Sequence, residues 1–393
     1  MGNWEMVRLV DVCDFQGGAQ PPKDEWLDTP KSGYIRMLQI RDFTQERSGK
    51  EEYVKISSTT KTCKEDDVLI ARYGASLGKI LRGLSGAYNV AIMKTIPNET
   101  ILSKAYLYKF LCSSTFQQFI MNVSSRAAQA GFNKTDLESL EIPLPPLAIQ
   151  QKIADILDHA NALIEKRKTQ IEKLDLLVKS RFVEMFGDPV TNPMEWKIKK
   201  LGDISSVGSS KRVFIEELVT EGIPFFRGTE ISALSAGTTI KPELFITQEH
   251  YDNLRKHTGV PAIGDLLLPS ICSDGQIWRV NTEEPFYFKD GRVLWIHFES
   301  EDNNKIYLRY ILRSIITSNY SQLASGTTFA ELKIFILKSL PVLIPPLALQ
   351  TQFAAFVECV EAQKAQLKKS LALLELNYKS LMQKCFEGGL IND

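Results

Sequence analysis

The hexapeptide Pro-Pro-Leu-Ala-Ile-Gln at positions 145–150 returns as Pro-Pro-Leu-Ala-Leu-Gln at positions 345–350, 200 residues later. Paired prolines are excluded from a helix interior but fit just ahead of a helix or in its first turn. Each copy follows an apolar run, Leu-Glu-Ile-Pro-Leu or Leu-Pro-Val-Leu-Ile, and each opens a long stretch without proline. The spacing therefore predicts two long helices, from about Leu147 to Met185 and from Leu347 to Cys385. Gly187-Asp188-Pro189 closes the first and Gly388-Gly389 the second.

The duplication extends well past the prolines. Behind each copy, identities continue at the same offset, among them Ala154/Ala354, Lys168/Lys368, Leu174/Leu374, Leu176/Leu376 and Phe186/Phe386. Ahead of it, Tyr106, Leu107 and Leu111 parallel Tyr307, Leu308 and Leu312. Asp-Asp-Val-Leu-Ile-Ala from Asp66 parallels Gly-Asp-Leu-Leu-Leu-Pro from Gly264, and the openings at Trp4 and Trp196 agree. One unit is written twice. Within each unit, short apolar or alternating runs between Gly-rich turns predict strands, and Tyr106–Met121 and Tyr307–Leu323 predict helices. This order predicts an α+β chain: two mixed α/β domains in tandem repeat, each followed by a long helix. The boundaries fall at 1–145 and 188–345 for the domains, and at 146–187 and 346–390 for the helices.

Both helices carry heptads. Leu157, Ile164, Ile171, Val178 and Met185 recur every seventh residue, flanked by Ile153, Ala160 and Leu174. In the second copy Phe353, Val360, Leu367, Leu374 and Leu381 do the same, flanked by Val357, Leu371 and Tyr378. Such sustained repeats are the signature of a coiled coil. Arg167 and Arg181 stand where the second helix has Leu367 and Leu381, while Lys364 stands where the first has Ile164. Each seam is a poor partner for itself, which favours pairing of the two helices with each other.

Composition narrows the function. A chain of 393 residues with 47 basic and 47 acidic side chains has no net charge to attract a polyanion as a whole. The charge is uneven, however. Between Val68 and Lys134 stand Arg72, Lys79, Arg82, Lys94, Lys104, Lys109, Arg126 and Lys134, against the single acid Glu99. A local basic field of that kind attracts phosphate, unless neighbouring acids of the Lys64–Val68 and Gly49–Tyr53 segments balance it in space. Six scattered cysteines without a Cys-x-x-Cys pair read as buried thiols of a reducing, cytoplasmic compartment. No run is apolar enough to span a membrane and the opening residues, without an apolar h-region, do not read as a secretory signal, so no membrane partner is expected.

Catalytic signatures are sparse, and the expectation is no catalytic residue and no metal ligand. Asn192-Pro193-Met194-Glu195 lacks the second proline and the aromatic of an amino-methyltransferase loop, and no Gly-rich nucleotide loop follows a strand. Glu331-Leu332-Lys333 spells a nuclease-like Glu-x-Lys, a three-residue match found in one copy only.

The phrase Ile142–Lys168, running on to Lys179–Asp188, resembles the central helical region of the specificity (S) subunit of type I restriction–modification enzymes. Ser339–Glu358 resembles the C-terminal one, with a departure where Gln150-Gln151-Lys152-Ile153 becomes Gln350-Thr351-Gln352-Phe353. The resemblance covers essentially the whole chain. It implies that each globular domain is a target-recognition domain for half of a bipartite site on double-stranded DNA. The helices would pair as an antiparallel coiled coil that acts as spacer and docking site. Two copies of a methyltransferase (modification) subunit would supply AdoMet chemistry, with no cofactor in this chain itself, and restriction subunits would complete the cleaving complex.

Base edges are read by Arg, Lys, Asn and Gln, and phosphates by basic and small polar groups. On that chemistry the candidate DNA-binding residues are Arg36, Arg72, Lys79, Arg82, Lys94, Arg126, Asn133 and Lys134 in the first domain. In the second they are Lys211, Arg212, Arg227, Arg279, Lys289 and Arg292. Two alternatives stand beside this one: a coiled-coil scaffold with two protein-binding domains, and an enzyme of nuclease or methylase type. Salt-sensitive binding to mixed-sequence duplex separates reader from scaffold.

Overall fold

The computed structural model of the protein describes residues 4–44, 50–125, 131–324 and 330–388. Two compact units emerge. The first joins residues 1–170 to 367–393, and the second is residues 171–366. The cuts fall inside the long helices, Leu147–Phe186 and Leu347–Phe386, of 40 residues each. Each unit thus owns the first half of one helix and the last half of the other.

In the first unit a four-stranded sheet runs in the order Cys13–Gly17, Ile92–Pro97, Leu69–Ala71, Ile80–Leu81, every neighbour antiparallel. A second sheet is built on Tyr34–Leu38, with a parallel pair to Gly86–Tyr88. The second unit repeats this plan: Ser206–Gly208, Val293–His297, Leu266–Pro269 and Trp278–Arg279 form the matching antiparallel sheet. Ile223–Phe226 pairs in parallel with Tyr287–Phe288.

The helix expected over residues 106–121 is in fact two, Lys104–Leu111 and Ser114–Ser124. The Ser113 hydroxyl accepts the Phe116 amide at 3.5 Å and caps the second helix, which breaks the run. Its counterpart Lys305–Leu323 continues through the same point and kinks at Asn319.

Inside each unit the helix halves run antiparallel. In the first, Ile149, Ile153 and Leu157 share a core with Met382 and Cys385, and Lys168 reaches Glu375 at 4.0 Å. In the second, Val178, Phe182 and Phe186 pack with Phe353, Val357 and Val360, and Lys364 pairs with Asp175. The seam residues of the heptad pattern are buried or half-buried, Arg167, Arg181 and Lys364 included.

The repeated glutamine explains the repeated hexapeptide. Gln150 and Gln350 are fully buried polar side chains. The Gln150 carbonyl accepts the Ser103 amide at 2.9 Å, and its Nε2 donates to the Ile101 and Pro145 carbonyls at 2.6 and 2.8 Å. Gln350 accepts from the Asn304 amide at 2.8 Å and donates to the Asn303 side chain and the Pro345 carbonyl. Each glutamine locks a long-helix start onto the cap of the domain helix in front of it. Truncation would remove three hydrogen bonds at each site, and each partner left shut off from water would cost about 1–3 kcal/mol. Gln150→Ala is therefore expected to lower stability by at least about 2 kcal/mol, read as a shift of the urea midpoint, with Gln350→Ala of similar size.

Candidate nucleic-acid interface

The four-stranded sheet of the first unit sends three connections out of one edge. Gly17 faces Met93 across one strand pair, Ala71 faces Ile92 across the next, and Ile70 faces Ile80. The connections at 18–20, 72–79 and 89–91 therefore leave side by side. Segment 131–134 joins them: Tyr73 bridges to Gly131, and the Arg72 Nε donates to the Phe132 carbonyl at 3.1 Å. The Arg72 guanidinium also lies 5.0 Å from the centroid of the Tyr73 ring. A side chain at position 131 would overlap the Tyr73 ring, so glycine is needed for this packing. Tyr73 itself is exposed.

The second unit builds the same edge. Gly208 faces Trp295, Pro269 faces Val293 and Leu267 faces Trp278. The Ser270 amide donates to the Arg292 carbonyl at 2.8 Å, and the Leu332 amide to the Ser270 carbonyl at 2.7 Å. Serines pin the loop after Gly208: Ser209 Oγ donates to the Val293 carbonyl at 2.7 Å and Ser210 Oγ to the Phe288 carbonyl at 2.5 Å. Arg292 pairs with Glu331, which Lys333 also holds at 3.0 Å. Glu331, the acid of the Glu-x-Lys string, thus sits between two cations of this edge, its pKa lowered chiefly by the Lys333 hydrogen bond. Among the described residues no three of His, Cys, Asp and Glu gather as a metal site.

The candidate residues divide accordingly. Arg72, Lys79, Asn133 and Lys134 belong to the loop-bearing edge of the first unit; Lys211, Arg212, Lys289 and Arg292 belong to that of the second. Lys134 pairs with Asp14 and Arg212 lies 3.4 Å from Asp290. Asn133 spends its carbonyl on a turn, accepting from the Thr135 amide at 2.9 Å. Arg227 closes the strand Ile223–Phe226 near this edge but is committed to Glu230 at 2.7 Å and Glu243 at 3.1 Å. Arg36 lies in the other sheet, held by Glu51 at 3.1 Å and Asp42 at 3.3 Å. Arg82 and Arg279 stand toward the opposite edge of their sheets, Arg82 with its guanidinium 3.9 Å from the Tyr108 ring centroid. Arg126 lies outside the described residues. The exposed aromatic Tyr73 went unremarked in the sequence, although an aromatic between Arg and Gly in a predicted turn is a stacking signal.

Half of the basic field of residues 68–134 is neutralised in space. Lys94 and Lys104 converge on Asp67 at 2.5 and 2.8 Å, Lys104 also meets Asp66 at 2.8 Å, Lys109 pairs with Asp158, and Lys134 pairs with Asp14. Four of the eight cations are balanced by acids outside the counted window. Lys94 is thus a support for the sheet. Asp67 and its repeat counterpart Asp265 are both buried, just before the core strand. Asp265 is met by the Trp295 indole N–H at 2.8 Å, His297 Nδ1 at 2.9 Å and the Ala262 amide at 2.9 Å. Of the cysteines, Cys359 is exposed rather than buried; burial pushes the Cys13 thiol up to about 12 and Cys63 up to about 11.

A scan against family models matches residues 1–174 and 193–376 to the type I restriction modification DNA specificity domain. The MjaIX specificity subunit of Methanocaldococcus jannaschii is 26% identical over 430 residues, covering 99% of this chain and 94% of that one. The EcoKI specificity subunit of Escherichia coli K12 is 21% identical over 427 residues, covering 98% and 89%. Among solved structures, a chain from work on complex assembly and conformational transition of the type I R-M system covers 99% of both chains at 18% identity, with a TM-score of 0.62. The type I S subunit from M. genitalium follows at 17% identity and a TM-score of 0.54, covering 98% and 96%; these two likenesses speak for the fold. The chain belongs to the type I restriction–modification DNA specificity family, whose specificity subunits are the non-catalytic DNA-recognition components of those systems.

Burial alone would raise the Asp67 pKa, but the hydrogen bonds from Lys104, Lys94 and the Lys64 amide outweigh it and hold the group at about 2. A pKa depressed by folding adds stability above the unfolded value, about 3.9 for Asp, and that share is lost as pH falls toward about 2. Urea midpoints measured from pH 5 down to pH 3 (about one unit either side of the unfolded Asp pKa) are expected to fall in the wild type. In Asp67→Asn the starting stability is lower and the acid-dependent loss smaller.

Proposed function

We propose that the chain reads a bipartite sequence on double-stranded DNA, one half-site per unit, for a cytoplasmic type I restriction–modification complex. The observation that carries this reading is the doubled edge. Two sheets of one chain each send out a cluster of connections bearing cations, Arg72 and Lys79 in one and Lys211 and Arg292 in the other. Loops on a rigid scaffold suit sequence readout, because the scaffold fixes their position while the loops vary. Within this proposal Arg72, Lys79, Asn133, Lys134, Lys211, Arg212, Lys289 and Arg292 are the contacts, and the paired helices are the spacer. AdoMet chemistry belongs to two copies of a methyltransferase subunit, and cleavage to restriction subunits. The helices offer apolar docking groups in the open: Leu163, Leu373 and Leu376 in the first unit, Leu176 and Leu177 in the second.

Replacing residues 190–340 with the matching domain of a relative is expected to change one half of the methylated sequence and leave the other intact. Mapping of methylated adenines in cells that also carry the methyltransferase partner checks this; a change in both halves would contradict it. Leu176→Glu and Leu376→Glu alter exposed side chains, so melting should hold. The same variants should weaken co-purification of the methyltransferase subunit, with two copies retained by the wild type.

A further inference from the structure

The second unit carries an element that the first lacks. In the first, the strand Tyr53–Lys55 leads to the short strand Thr62–Cys63, which pairs with Gly86–Tyr88. In the second, Phe245–Ile246 leads instead to the helix Gln248–Thr258, 11 residues long. Its last turn holds Arg255 and Lys256, both exposed. Cations in a final turn complement the helix dipole; that accounts for their place on the helix but not for where the turn is held.

Hydrogen bonds hold it. The Thr258 hydroxyl lies 3.2 Å from the Tyr287 hydroxyl, and the Lys211 amide donates to that same phenolic oxygen at 2.9 Å. One buried tyrosine therefore ties the basic turn to the loop that carries Lys211 and Arg212. Asp252, one turn back on the same helix, lies within bonding distance of Gln248 at 3.2 Å. Among the described residues neither Arg255 nor Lys256 forms an ion pair, whereas Arg212 faces Asp290 and Arg227 faces Glu230. Arg255 and Lys256, without an ion pair among the described residues, are thus anchored to the loop-bearing edge through the turn they stand on.

We propose that Arg255 and Lys256 form a phosphate-binding extension of the second unit, contacting the DNA backbone beside the half-site that this unit reads. The inference rests on the DNA-reader assignment above and adds to it a contact found in one unit only. Duplex DNA carries a charge for about every 1.7 Å of axis, so cations that extend a basic edge find phosphates to meet. Backbone contacts of this kind position a protein without reading sequence. Their contribution is affinity and register for the second domain.

The test is the salt dependence of binding of the full chain to a labelled mixed-sequence duplex. Wild type is compared with Arg255→Gln/Lys256→Gln and with a control, Lys197→Gln/Lys199→Gln, which removes two exposed cations from the strand Lys197–Lys200. Each phosphate contact contributes about 0.9 to the slope of log affinity against log salt. The slope should become shallower by about 2 in Arg255→Gln/Lys256→Gln and stay unchanged in the control, with unaltered melting in both. A wild type that binds with a steep slope, tracked by Arg255→Gln/Lys256→Gln, overturns this inference and leaves the reader intact. Equal loss in the control overturns it too, since net charge would then be the cause. A wild type without salt-dependent binding overturns the reader itself.

Discussion

Everything in this chain depends on where the long helices end. Phe186, the last residue of the central helix, lies fully buried in the second unit, 4.7 Å from the Tyr307 ring and 5.5 Å from Phe353. Phe386, the last residue of the C-terminal helix, lies in the first unit, 5.3 Å from Tyr106 and 5.5 Å from Phe110. Each core is plugged by the helix that arrives, not only by the helix that departs. Edge-to-face ring pairs add about 0.5–1.5 kcal/mol beyond the area they bury, and removing such a ring costs about 3–5 kcal/mol. That dependence is why the compact units divide in mid-helix.

The same constraint accounts for the mismatched heptads. Antiparallel pairing inside a unit sets Lys364 beside Asp175 and Lys168 near Glu375. A cation in a seam is tolerated when its charged end reaches an acid at the rim while its stem covers apolar surface. Lys364 has Ile164 as its counterpart in the other copy, so the Lys364–Asp175 pair exists only because the two copies differ. Divergence of the two copies is the physical basis for an intramolecular seam, with the buried glutamines fixing its starting points.

At the candidate interface most cations have internal partners. Arg36, Lys94 and Arg227 hold carboxylates of their own unit, and Lys94 meets a buried one. An ion pair that stitches a sheet is a poor starting point for DNA contact, because a phosphate would have to displace a carboxylate already in place. Arg72 differs in kind, bracing Tyr73 and Phe132 with no carboxylate partner among the described residues, whereas Arg292 shares Glu331 with Lys333 across two connections. Such pre-positioned side chains lose less freedom on binding than free lysines do.

The sequence by itself determined the duplication, the two 40-residue helices and the family. Those features are written in local chemistry: paired prolines, heptad spacing and identities repeated at one offset, all readable without knowing what touches what. The break at Ser113 could not be read that way, since a capping serine and a tolerated mid-helix serine look alike until the neighbouring turn is placed. Tertiary structure alone decided which cations remain available. Charge counted along the chain set eight bases against one acid, whereas Asp14, Asp66, Asp67 and Asp158 lie outside that window and close on it in space. Coulombic pairing acts over a few ångströms whatever the sequence separation, so only the fold could show which side chains meet.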